Sequence, residues 1–341
     1  MKKWNRLLKI TAAALALCAG LASFAEDERY SQVPDGAALV MNLNLGKLYS
    51  TPTFKAAAES GDVIAIRDDL KTIPWNTSGT TPDPIILYAP RMGSSYAMLV
   101  GTDKSPDELV DAISKRYGKS KQIETAQKSL GSMITVKYQK TDRKTKQKYW
   151  KTESETLYLT PRTVAFGRKD RPLDLGFFSG KKLPASEFTL LQNAPEDAVA
   201  VGILRYFPVP ASQDPTGLSA YEKSGAFMIS EYDPGSAQLV LNMECKGEKE
   251  AKQAVRRLNS FLRITLVTLF SADKKLFKEL NSCYTLTNSG SKAKLEIKLS
   301  KSSLEKVREY YLTEQDLISN AAGTVLNAAD TVINAAGALL K

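Results

Sequence analysis

Histidine is absent from all 341 residues of the chain. Without an imidazole there is no Ser-His-Asp or Cys-His nucleophile activation, no histidine acid–base step and no imidazole-liganded zinc. Enzymatic chemistry is left with carboxylate pairs, Ser-Lys dyads and all-oxygen metal sites. Cysteine is scarce, with Cys18, Cys245 and Cys283 the whole supply. Cys245 shares a strand face with Leu239, Leu241 and Met243 and points inward, whereas Cys283 alternates with Tyr284 and Leu286 and points the other way. A disulfide in an oxidising compartment and two separate half-buried thiols are both open for that pair. A strong excess of one charge is also missing. The net charge is +10, but Lys2, Lys3, Arg6 and Lys9 stand in the first nine residues with no acid among them. Residues 26–341 carry 43 basic and 37 acidic side chains, a net of +6, with +4 over residues 26–170 and +2 over 171–341. No concentrated positive field of the nucleic-acid-binding kind is present, and no nucleic-acid partner is expected.

Long apolar runs are likewise few, and the first of them sets the expected compartment. Ile10 to Ala25 is sixteen residues without a charge, closed by Ala22-Ser23-Phe24-Ala25 before Glu26-Asp27-Glu28. A basic start, a short apolar core and small residues at the break describe a secretory signal peptide cleaved after Ala25. The run is shorter than the ~20 residues that a membrane-spanning helix needs. Cys18 follows Leu15-Ala16-Leu17, and the bulky Leu17 argues against lipid attachment there. The expectation is an exported protein, periplasmic or extracellular, and not a lipoprotein.

Past the signal the chain alternates strands with amphipathic helices, and it says similar things twice. Pro34-Asp35-Gly36-Ala37-Ala38-Leu39-Val40-Met41-Asn42-Leu43 is echoed by Pro195-Glu196-Asp197-Ala198-Val199-Ala200-Val201-Gly202-Ile203-Leu204. In the first copy Tyr96 to Gly101 is a strand, followed by a helix that Ser105 caps, Pro106 opens and Asp107 and Glu108 favour electrostatically. In the second, Gln238 to Cys245 is a strand and residues 248–270 a helix, striped by Ala251, Ala254, Val255, Leu258, Phe261, Leu262, Leu266 and Leu269. Ala293, Leu295, Ile297 and Leu299 alternate with Lys294, Glu296 and Lys298 as a half-exposed strand, and Pro161-Arg162 turns a hairpin between 156–160 and 163–166. The expected fold class is α+β: two similar units of largely antiparallel sheet with helices packed on one face, plus a C-terminal amphipathic helix. Boundaries fall at 1–25 for the signal, 26–180 and 181–313 for the two units, and 314–341 for the tail. The loop-rich stretch from Arg171 to Pro195 holds the junction. Whether the units face one another or share a sheet is left open.

Three short stretches carry a resemblance: Val33-Pro34-Asp35-Gly36-Ala37, Thr163-Val164-Ala165-Phe166-Gly167, and Ala237-Gln238-Leu239-Val240-Leu241 with the Glu250-Ala251-Lys252 helix after it. On these the chain resembles uncharacterised secreted proteins of bacterial envelopes with duplicated α+β domains of no assigned function. The resemblance implies no catalytic residue and no cofactor.

The tail repeats every seven residues, with Ile318, Val325, Val332 and Leu339 heading successive heptads of the pattern Ile-Ser-Asn-Ala-Ala-Gly-Thr. On a helix the first, second, fourth and fifth positions share one wide apolar face. That face is too broad and too poor in flanking charge for a two-stranded coiled coil. Gly323 and Gly337 each cost ~1 kcal/mol of helix propensity. The tail therefore needs a surface, which is its own domain, a second copy of the chain, or lipid. The absence of lysines on its polar face disfavours lipid.

Candidate chemistry is thin. The densest basic stretch runs from Lys137 to Lys151, and its Lys144, Lys146 and Lys148, with Tyr149 and Trp150, form a candidate patch for an anionic envelope polymer or lipid headgroup. The structural reading of the same residues is a long hairpin whose Lys144, Lys146 and Lys148 share a solvated strand face that discourages edge pairing. Ser179-Gly180-Lys181-Lys182 and Ser271-Ala272-Asp273-Lys274 fit Ser-x-x-Lys, and Lys223-Ser224-Gly225 fits a companion motif, but their order and settings do not assemble a penicilloyl-enzyme set. Gly118-Lys119-Ser120 fails as a phosphate loop because Ile113 stands where the leading glycine belongs. Asp68-Asp69 lacks calcium-loop spacing and Asp107-Glu108-Asp111 reads as a helix N-terminus, so no metal is expected. Asn76-Thr77-Ser78 is a sequon. Arg263 interrupts an apolar helix end, and Ile264 to Phe270 is expected to pack against a partner or, as the structural reading has it, between the two units.

These observations converge on an exported, non-enzymatic envelope protein that works by binding or assembly, with self-association or docking through the tail. A carboxylate-dependent hydrolase of a wall polymer and a peripheral lipid-binding protein are the alternatives. Mass spectrometry of the exported protein is expected to place its first residue at Glu26, and a mature chain retaining residues 1–25 overturns the signal assignment.

Overall fold

The computed structural model describes residues 28–54, 84–88, 96–117, 120–168, 172–195, 197–205, 214 and 217–313. The segment expected to be a signal, Cys18, the Asp68-Asp69 pair, Gly118-Lys119, the sequon at 76–78 and the whole tail from 314 lie outside these residues. The described elements run β1 (Leu39–Leu43), α1 (Leu45–Ser50), β2 (Ile85–Tyr88), β3 (Tyr96–Gly101) and α2 (Pro106–Tyr117). They continue as β4 (Lys121–Lys128), β5 (Gly131–Thr141), β6 (Lys148–Thr160), β7 (Thr163–Arg168), α3 (Leu175–Ser179) and α4 (Thr189–Gln192). The second half adds β8 (Ala198–Leu204), β9 (Glu222–Ser230), β10 (Ala237–Cys245), α5 (Glu248–Phe270), α6 (Lys274–Asn281), β11 (Tyr284–Ser289), β12 (Lys292–Leu299) and α7 (Lys301–Thr313). Their ends follow local chemistry. Ser105 and Glu108 exchange reciprocal bonds at the start of α2, Glu108 Oε2 accepting from Ser105 N at 2.7 Å and Ser105 Oγ from Glu108 N at 3.3 Å. Asp273 caps α6 by accepting from the backbone N–H groups of Lys275 and Leu276.

The twelve strands among the described residues join in one antiparallel sheet, ordered β11-β12-β10-β9-β8-β1-β2-β3-β7-β6-β5-β4. The chain's two halves meet at β1 and β8, where Leu39 faces Leu204, Met41 faces Gly202 and Leu43 faces Ala200. Reading outward from that seam, each half lays down its first three strands in chain order and then places its last strand beside the third. In each half the long helix, α2 or α5, follows that third strand.

Alternation sorts the side chains onto two faces. One face carries Leu39, Met41, Met98, Val100, Val164, Phe166 and Phe227, and it is covered by Leu45 and Leu48 of α1 and by Leu109 and Ile113 of α2. Further along the same face, Met243, Cys245, Ala293 and Leu295 meet Ala251, Ala254, Leu258 and Leu262 of α5. The helices are not confined to that face. Val40, Ile85, Leu87, Leu99, Ala165 and Val201 point the other way, onto Tyr30, Phe178 of α3, Phe188 and Leu191 of α4. The stretch 172–195 is thus a packed layer over the central strands, pinned by backbone bonds from Leu183 N to Val33 O and from Asp35 N to Lys181 O. Its apolar residues are too irregularly spaced to have announced a helix, and its glycines and prolines suggested only a loop. Past β9 the second face has no such cover among the described residues, and Lys292, Lys294, Glu296 and Lys298 point from it.

Besides the one-sided placement of the helices, two further expectations need correction. Ile264 and Val267 are 66 % and 48 % exposed, so the end of α5 is not packed between the halves. The halves lie side by side in one sheet, which leaves no inter-unit layer for α5 to enter. Lys144 and Lys146 do not share a strand face with Lys148, because both sit in the turn between β5 and β6, where Lys146 adopts φ 61°.

Gly202 is required by close approach: a Cβ there would lie 2.2 Å from the ring of Phe227, its cross-strand neighbour on β9. Gly202→Ala is expected to cost about 1–3 kcal/mol in denaturant unfolding, the usual penalty for overfilling a packed core. An unchanged midpoint would mean the ring yields freely.

Candidate functional site

The most concentrated surface chemistry is at the far end of the β5–β6 hairpin. β4 pairs with β5 only as far as Tyr138, and β7 pairs with β6 only back to Ser154. A bulge at Glu153, where the β5–β6 register shifts between Val136 and Lys137, marks the point of departure. Beyond it the two strands have only each other, a ribbon reaching about 15 Å past its neighbours at ~3.4 Å per residue. Its base is anchored by Lys137 Nζ on Glu124 Oε2 at 2.6 Å and by the Lys121–Glu153 ion pair, with Lys121 Nζ over the rings of Tyr117 and Tyr138.

Outward from this base lie Lys140, Arg143, Lys144, Lys146, Lys148 and Lys151, all exposed. The acid among them, Asp142, is spent on the turn. Its Oδ1 accepts from Lys144 N at 2.8 Å and Thr145 N at 2.7 Å, and these bonds hold its carboxyl below the usual carboxylate range. No ion pair joins the six outer cations to an acid among the described residues. Tyr149 and Trp150 are 42 % and 44 % exposed. Being consecutive in β6, they project to opposite faces: Trp150 shares one with Lys148, Tyr149 the other with Lys151 and Lys140. The five candidate patch residues are therefore brought to one tip, but as two lysine-flanked aromatic faces joined by a cationic turn. Ile318, Val325, Val332 and Leu339 of the candidate association face lie outside the described residues.

The serine–lysine pairs do not form dyads. Ser179 Oγ donates to Gly176 O at 2.9 Å, while Lys182 Nζ donates to Phe178 O at 2.5 Å. Ser271 ends α5, and Lys223 is exposed on β9. Cys245 is buried and Cys283 half-buried, and both are free thiols. Cys283 Sγ donates to Glu279 O at 3.3 Å.

A second feature is one that sequence reasoning missed. Glu222 is 8 % exposed, and neither carboxyl oxygen has a hydrogen-bond partner. A β-bulge puts it there. Glu244 faces Ser224 but Cys245 faces Glu222, so Lys223 is the extra residue and Glu222 turns onto the helical face. Gly225 leaves the space, since a Cβ there would meet Glu222 Oε1 and Asn242 O at 3.0 Å each. Burial first, and the negative charge of Asp214 second, push the Glu222 carboxyl up to about 8. Burial, Glu222, Glu244 and Glu250 in turn raise the neighbouring Cys245 thiol. The acid before an isolated strand glycine was the available signal. Among the described residues no group of three or more acidic or thiol side chains is placed to hold a metal ion.

The open face of the outer strands is polar. Glu296 accepts from Lys298 Nζ at 2.8 Å, Lys294 Nζ at 3.0 Å and Gln238 Nε2 at 2.8 Å, and these lysine bonds lower its carboxyl to about 2. Nearby, Ser224, Asn242, Glu244, Thr287 and Lys292 line a shallow depression of about 550 Å³. No helix among the described residues is long and apolar enough to cross a membrane. No protein-family model, curated protein or solved structure matches the chain.

The folded chain holds a proton on Glu222 at a pH where the unfolded chain has released it. Stability from this group is thus complete below about pH 4.5 and is lost as pH rises through about 8. Glu222→Gln is expected to melt near wild type at pH 5 and several degrees above it at pH 8.5. Equal differences at both pH values would show that the carboxyl ionises freely in the fold.

Proposed function

We propose that the protein is an exported, non-enzymatic binding protein of the cell envelope that engages polyanionic material through the β5–β6 ribbon. The observation that carries this reading is the tip itself. Six exposed cations have no acidic partner there among the described residues, and two aromatic rings stand among them. Beyond its neighbours the ribbon is unpaired on both outer edges, so lysines there also discourage pairing with another chain, but edge protection does not call for the exposed rings of Tyr149 and Trp150. Charge attracts an anionic polymer at long range, and the rings add stacking or apolar contact once it arrives. Export rests on the basic, apolar and small-residue pattern of residues 1–25.

We also infer that the two halves descend from one duplicated unit. Aligning Ala37–Leu43 with Ala198–Leu204 makes Met41 the counterpart of Gly202, and these two residues face one another across the seam. A pseudo-twofold axis through that pair carries β1-β2-β3-β7 onto β8-β9-β10-β12. The tail serves association or docking, as its nearly uncharged heptads require a covering surface.

The hydrolase alternative has one observation in its favour, the protonated Glu222 with Asp214 nearby. Both Glu222 oxygens are sealed from solvent, so a polymer has no access to the acid. A lipid-binding role shared by ribbon and tail is disfavoured by position. The ribbon lies near one edge of the sheet, while α7, from which the tail departs, packs with α6 and the end of α5 toward the other.

Lys144→Gln, Lys146→Gln and Lys148→Gln together are expected to weaken binding to a soluble sulfated polysaccharide about a hundred-fold at low salt. This assumes ~1 kcal/mol per lysine at a densely anionic surface. Trp150→Ser and Tyr149→Ser are expected to cost less and to leave the salt dependence unchanged. Titration of wild type and triple variant side by side checks this, and equal affinities would remove the ribbon from the function.

A further inference from the structure

The C-terminal half of α5 presents an apolar stripe to solvent. Through its first four turns the helix exposes Lys249, Lys252, Arg256 and Arg257, as a solvated helix should. From Ile264 to Phe270 it has no charged residue. Ile264 and Val267, one turn apart, are 66 % and 48 % exposed. Thr268 is exposed as well, but its Oγ1 donates to Ile264 O at 2.8 Å, which turns the hydroxyl onto the helix backbone. The inner side of this segment is already occupied. Phe270, Leu266 and Leu269 pack with Leu276, Leu280, Val307 and Tyr310. What remains outward is a strip of aliphatic groups with no polar function to offer water.

We propose that this strip is the docking site for the chain's own tail, residues 318–340, laid along α5 as an amphipathic helix. The proposal takes the docking role of the tail from the reading above, names its surface and is independent of the ribbon. Three observations select this occupant. The tail leaves from the right place: α7 ends at Thr313, one turn after Tyr310, whose ring lies 5.2 Å from that of Phe270 at the end of α5. The stripe is then within about 9 Å along α5, six residues at ~1.5 Å each. The tail is long enough to cross the stripe, since 23 helical residues span ~35 Å against the ~9 Å from Ile264 to Phe270. It is also chemically matched. Between Ile318 and Leu340 its only charged residue is Asp330, and its apolar face mixes Ile318, Val325, Val332 and Leu339 with alanines small enough for close helix contact. Attachment through α7 gives the tail a millimolar-scale effective concentration at this surface, which a second copy in dilute solution does not reach.

The test uses the full chain, beside a variant with Ile264→Asp and Val267→Asp. Amide hydrogen exchange of 318–340 is followed together with mass by light scattering. The expected result is a monomer whose tail amides exchange at least about ten-fold more slowly than an unstructured peptide, with that protection lost in the variant. A second variant, Val325→Asp with Val332→Asp, leaves the residues of the sheet untouched and is expected to speed exchange at 261–270. Three outcomes overturn the proposal: a wild-type tail without protection, a tail equally protected in the α5 variant, and protection accompanied by a doubled mass. The third assigns the stripe to a second copy. Polyanion binding by the ribbon is measured on the same samples, so failure of the docking and failure of the ribbon reading are told apart.

Discussion

Pairing of β1 with β8 is the constraint on which the rest of the molecule depends. Each half presents its first strand as an edge that only the other half covers, and the five-residue register from Leu39–Leu204 to Leu43–Ala200 turns two open sheets into one. Leu39 and Val40 are completely buried, and Val201 nearly so, because this seam is covered on both faces. That double cover explains why the two seam strands are almost continuously apolar while β10 and β12 alternate. A strand hidden on both sides has no use for polar side chains. A strand hidden on one side needs them at every second position.

From this seam outward the sheet passes from sealed core to polar periphery, and the candidate chemistry follows that gradient. Toward the centre, at the start of β9, burial raises the proton affinity of Glu222 and with it that of the neighbouring Cys245 thiol. Further out on that wing, Glu296 sits between Lys294 and Lys298 and pairs with both, so each of these cations has an acidic partner within the fold. On the other wing the charges are not balanced. The acids Glu124 and Glu153 are used at the ribbon's base and Asp142 in its turn, so the cations beyond them are left to external partners.

Much of the regular structure was legible in the residues. The period of Ala251, Ala254, Leu258 and Leu262 marked α5 to its ends, the alternation of Ala293 to Leu299 marked β12, and Ser105-Pro106 marked the start of α2. The echo of residues 34–43 at 195–204 announced two related strands, but no local pattern says that such strands pair with each other. The layer from 172 to 195 was illegible for a different reason. Its helices are four and five residues long, too short to show a period, and Phe178, Phe188 and Leu191 find their partners only through the sheet. At the candidate site, the basic stretch and its aromatics were visible, whereas the split of Tyr149 from Trp150 depended on strand register and the position of Lys144 and Lys146 on the turn. Glu222 was hidden because its burial follows from a bulge, an event that belongs to two strands at once.

The seam also has a consequence in time. β1 ends at Leu43, and its partner β8 begins at Ala198, so about 150 residues must be made before the central pair can form. At ~5–20 residues per second a ribosome needs on the order of ten seconds to do so. Throughout that interval the nascent first half carries one unsatisfied strand of almost wholly apolar sequence, unable to reach its native state. For a polypeptide that must remain threadable until synthesis is well advanced, delayed closure is useful. For one released into a crowded compartment, the same interval is when it is most exposed to aggregation, and a chaperone that shields residues 37–43 would have the most to protect.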